Sequence, residues 1–109
     1  ISPIWISVNR IYYSGKDESL KKAKEYVKIN EWGQAIQIWK NLSQSNDQKV
    51  SSQACYNMAL ASEVNGSIDT ALSWARKALS KGDKRASSYI NTLKRRQIDQ
   101  IKLNNQLNN

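Results

Sequence analysis

With 109 residues and 39% hydrophobic side chains, the chain has room for one domain with a thin core. Seventeen Lys and Arg against nine Asp and Glu give +8, which favours acidic partners, anionic surfaces or, without sequence preference, nucleic acid. No apolar run nears the roughly 18 residues of a membrane span. The absence of histidine and the single Cys55 rule out an internal disulfide and weaken any metal or acid–base reading.

The chain opens Ile1-Ser2-Pro3 without an initiator methionine, which reads as a processed product or an excised piece, so no compartment follows from its start. In residues 1–15, Ile4, Ile6 and Val8 alternate with Trp5, Ser7 and Asn9 at the period of a strand. An extended arm, the last strand of an upstream domain and a helix entering the stack are the three readings of this stretch.

From residue 16 onward the period changes to that of amphipathic helices. The predicted helices are Glu18 to Ile29, Trp32 to Leu42, Gln48 to Val64 and Ile68 to Ser80. Asn30 and Ser67 are placed to accept hydrogen bonds from the first N–H groups of the helices they precede. Gly66 marks a break, Gly82 ends a helix in the left-handed region, and Ser43-Gln44-Ser45-Asn46-Asp47 forms the longest polar loop. After Asp83, which caps its start, a last helix carries Ala86, Ile90, Leu93 and Ile101 on one face, and the tail from Asn104 to Asn109 frays.

Ala35 and Ala71 stand 36 residues apart, and the same offset brings Trp39 over Ala75, Leu42 over Ala78, Ala23 over Ala59 and Tyr26 over Ser62. Residues 16–45 and 46–82 are therefore two units of one pattern, closed by a capping helix in residues 83–109. The expected fold is all-α, a stack of antiparallel helical hairpins.

The second unit, from Ser52 to Leu79, resembles a tetratricopeptide repeat. Ala59, Ala71 and Ala78 fall at that family's small positions, where close helix approach leaves space for little more than a methyl group. Ala23, Tyr26, Ala35, Trp39 and Leu42 match in the first unit. The chain departs from the pattern at Ser19, Lys22, Cys55, Met58, Ser62 and Ala75, and Trp74, one residue from the usual aromatic site, compensates. The string Ile4 to Tyr13 and the phrase Tyr56 to Glu63 also resemble the C-terminal part of a family of bacterial envelope proteins, which implies a periplasmic or surface location.

The tetratricopeptide resemblance implies a concave groove that takes an extended peptide, lined by Lys21, Lys24, Lys28, Gln53, Tyr56, Asn57 and Leu60. Asn57 matches a position where peptide-binding members hold the ligand backbone. The two-carboxylate clamp of chaperone-binding members also needs a lysine and an arginine where Ser87 and Asn91 fall, so that clamp is incomplete. Lys84, Arg95 and Lys102, with Ser88 and Asn91, share a basic face of the last helix, and five of the eight net positive charges lie from Lys84 onward.

Cys55 falls at an internal packing position and the nine carboxylates are scattered, so no catalytic role, metal or cofactor is expected. Three of the four tryptophans, Trp32, Trp39 and Trp74, occur at core spacing. The expected function is non-catalytic binding of a protein or peptide, an acidic one matching the charge. Nucleic acid or an anionic surface is the alternative, disfavoured for nucleic acid because no aromatic is interleaved for base stacking. A structural or self-association role is the third reading.

Overall fold

The computed structural model describes residues 17–108, and the alternating N-terminal segment with Trp5 lies outside them. Among the described residues five helices follow one another: α1 Glu18–Lys28, α2 Trp32–Leu42, α3 Gln48–Val64, α4 Ile68–Ser80 and α5 Arg85–Asn108. Among the described residues there is no strand, and the chain is all-α as its sequence predicts. Each helix packs chiefly against its neighbours in the chain.

Helix starts follow from short acidic side chains. Asp17 Oδ1 accepts the Leu20 N–H at 3.0 Å, and Asp47 Oδ1 accepts those of Lys49 and Val50 at 3.1 and 3.2 Å. Asp83 Oδ1 accepts the Arg85 N–H at 3.0 Å, as its position predicts. Two expected caps are corrected. Ser67 makes no side-chain cap bond, its hydroxyl donating to Thr70 Oγ1 instead.

Asn30 does not cap α2 either. It adopts φ 63° just past the end of α1, and its Oδ1 accepts from Trp32 Nε1 at 3.1 Å. Three helix ends share this arrangement. Asn30, Gly66 and Gly82, all at positive φ, donate to the carbonyls of Val27, Glu63 and Leu79, while the next residues donate to those of Tyr26, Ser62 and Ala78. That pairing satisfies carbonyls left open at a helix end and turns the chain back on itself.

The core has two lobes that meet at α3. Leu20, Ala23 and Val27 of α1 and Ala35 and Trp39 of α2 bury against Ala54, Met58 and Ala61 of α3. On its other side Cys55, Tyr56, Ala59 and Leu60 bury against α4 and α5. Helix α3 is therefore covered nearly all round, and Trp74 packs against both lobes. Ala59, Ala71 and Ala78 are fully buried, as their small size at helix crossings requires. One further correction concerns the tail: α5 runs to Asn108 although every residue from Ile98 is exposed. Its own backbone hydrogen bonds and its helix-favouring Gln, Lys and Leu residues carry it beyond the core.

Candidate partner-binding face

The structure does not bring the seven predicted groove residues into one open surface. Lys21, Lys24 and Lys28 are exposed on α1, with Lys21 against Glu18 at 3.4 Å and Lys28 against Glu25 at 3.2 Å. Gln53 is half-buried, and Tyr56, Asn57 and Leu60 are buried, Asn57 completely. Residues from α5 reach over Tyr56: the Tyr89 ring lies 5.3 Å from its ring, and the Arg85 guanidinium sits 5.7 Å from its centroid. A face that would line a groove in an open array is sealed here, which corrects the expectation for those three residues.

The exposed face of α5 is laid out differently. Ala86, Ile90 and Leu93 point into the core, Ser88, Asn91, Arg95 and Lys102 are exposed on the opposite side, and Lys84, one residue ahead of the helix, is exposed as well. Lys84, Lys94, Arg95 and Lys102 form no ion pair with any carboxylate among the described residues. Arg96 behaves otherwise, turning inward to Glu63, which also accepts the Tyr89 hydroxyl at 2.8 Å.

Charge is distributed unevenly along the chain. Residues 76–102 hold nine Lys and Arg against Asp83 and Asp99, a net +7, whereas residues 1–75 hold eight against seven, a net +1. Asp83 is buried as a cap, so it screens the surface little. Lys77 lies 4.6 Å from the Trp74 ring centroid, and Gln48 Nε2 donates to the Lys81 carbonyl, which places the start of α3 beside the basic turn between α4 and α5.

Beyond Gln97, which donates to Asp69 Oδ1 at 2.6 Å, α5 overhangs the body. Ile101, Leu103 and Leu107 are exposed there, Leu107 at 74%. A cavity of about 530 Å³ lined by Val64, Ile68, Arg96, Gln100 and Leu103 opens at the root of the overhang. The Glu63, Tyr89 and Arg96 cluster escaped sequence reasoning, because its members are 26 and 33 residues apart. The signal present was Tyr89 and Arg96, two polar side chains seven apart on the inward stripe of a predicted helix.

Cys55 is buried as expected, and burial pushes its thiol above the ordinary value while Lys81 and Lys77 oppose that shift. Among the described residues no three His, Cys, Asp or Glu side chains converge as metal ligands, and no helix is long and apolar enough to cross a membrane. What the described surface offers is a row of unpaired cations along one helix, suited to holding carboxylates or phosphates.

Fold and surface together define an all-α chain of consecutively packed helices with one basic flank. A family model described as Domain of unknown function (DUF6340) matches residues 21–95. The match covers more than half of the chain, which therefore belongs to that family. No curated protein and no solved structure matches the chain.

Proposed function

We propose that this chain is a non-catalytic binding module of tetratricopeptide-like build that holds an acidic protein or peptide on the outer face of α5. The observation that carries the reading is the set of unpaired cations, Lys84, Lys94, Arg95 and Lys102, on an exposed helix face in a segment of net +7. Cations that served only internal structure would be expected to meet carboxylates, as Arg96 meets Glu63. Exposed charges of one sign attract a partner of the other and speed its encounter.

Nucleic acid offers the same sign of charge, but this face has no aromatic side chain on which bases could stack. Competition decides between them: a labelled glutamate-rich peptide bound at low salt should be displaced by unlabelled peptide at lower charge concentration than by duplex DNA. The reverse order would favour nucleic acid, and no binding of either would reject the basic face as a binding surface. A second reading, self-association, is favoured by the exposed Leu103, which lines the cavity, and the exposed Leu107 further along the overhang. It predicts a mass that rises with concentration and returns to the monomer value in Leu103→Asp/Leu107→Asp.

A further inference from the structure

The residues along the outer face of α5 are spaced in a way that selects the conformation of the partner. Lys84, Ser88, Asn91, Arg95, Ile98 and Lys102 follow one another at steps of four, three, four, three and four. All six are exposed, Ile98 at 52%. On an α-helix these steps keep the side chains in one stripe, which from Ser88 to Lys102 runs about 21 Å along the axis, with Lys84 one residue ahead of the helix. Lys84, Asn91 and Ile98 form one seven-residue series, and Ser88, Arg95 and Lys102 form the other. Their alternation is that of a coiled-coil seam, here mostly polar and basic with a single aliphatic residue.

We propose that the partner segment is an acidic α-helix that lies along this stripe, with carboxylates repeating every seven residues and an aliphatic side chain set against Ile98. This rests on the proposed binding of acidic protein segments by α5 and adds the shape of the bound segment.

The argument is one of spacing. Seven residues of helix advance about 10.5 Å, so a second helix with a seven-residue repeat stays in step with Arg95 and Lys102 along the whole row. An extended segment places same-side residues about 6.8 Å apart, and the three residues that approximate 10.5 Å put successive side chains on opposite faces. It meets the cations out of register. Charge complementarity supplies the acidic character: Lys84, Lys94, Arg95 and Lys102 have no carboxylate partner among the described residues, and Asp99 is the single acidic residue on α5. Ile98 supplies the apolar contact around which such a seam packs.

Two synthetic peptides of identical composition test this. One is stapled as a helix with glutamates every seven residues and a leucine midway, and the other has the same residues scrambled to break the repeat. Fluorescence anisotropy should show the ordered peptide binding at least about tenfold more tightly, and Ile98→Asp, at an exposed position, should abolish that preference without changing helicity. Equal affinities, or a preference that survives Ile98→Asp, overturn the helical partner while leaving acidic binding intact. No binding of either peptide overturns both.

Discussion

The Tyr89 hydroxyl donates to Glu63 Oε1 across 2.8 Å, joining α5 to the last turn of α3 over 26 residues of chain. Arg96 meets the other carboxylate oxygen, so one side chain anchors α5 at two points a further two turns apart. Together with Ala86, Ile90 and Leu93 in the core, this anchor orients the basic face, since Ile98 and all that follows it are exposed.

Glu63→Ala leaves the Tyr89 hydroxyl and the Arg96 guanidinium without that partner. The expected loss of stability is about 1–3 kcal/mol, the usual range for removing one side of a part-buried, charge-assisted hydrogen-bond pair. Urea denaturation measures it. Tyr89→Phe, which removes one bond and keeps the ring against Tyr56, should cost less.

Asn30 and Gly66 stand in equivalent turns at φ 63° and 85°. Gly66→Ala should cost about 1 kcal/mol, because a Cβ is disfavoured in the left-handed region even though open space surrounds it. Asn30→Gly relieves backbone strain but gives up the bond to Trp32 Nε1, so its effect should be smaller than that of Gly66→Ala. Thermal melts of the two variants beside the parent chain check the ordering.

The Cys55 thiol titrates above its ordinary value of 9.0 because it is buried. The folded chain thus keeps a proton that the unfolded chain releases above that pH. Its contribution to stability is complete below pH 9 and is lost as the pH rises through the folded value, with a slope of up to about 1.4 kcal/mol per pH unit. Subtracting the pH profile of Cys55→Ala from that of the parent isolates this term, and the difference should fall above pH 9. A thiol reagent at neutral pH should modify the native chain far more slowly than the urea-unfolded one.

Helix order and most boundaries were legible because the apolar period and the polar breaks agree along the chain and Asp83 marks the start of the last helix, whereas the caps Asp17 and Asp47 emerge only in the structure. The offset of 36 residues also places Asn30 over Gly66. That pairing signals a left-handed helix end for Asn30 more strongly than its capping chemistry signals a start, since a glycine there points to positive φ. The groove was misjudged for a different reason. The stripe of α3 that holds Tyr56, Asn57 and Leu60 faces outward only if nothing packs over it, yet all three are buried, Tyr56 under Tyr89 and Arg85 of α5. Periodicity marks a face but does not say what covers it. The basic row from Lys84 to Lys102 was legible because α5 shows one face to the core, which leaves the opposite face to solvent.

The measurement that bears most directly on function is the affinity of a glutamate-rich peptide for the parent chain and for Lys84→Glu/Arg95→Glu/Lys102→Glu, at low and moderate salt. All three positions are exposed, so the variant should keep its helicity and its melting profile. Binding through the basic face predicts an affinity that falls as salt rises and that drops at least about tenfold in the variant. Equal binding by the two proteins, or an affinity indifferent to salt, would contradict it.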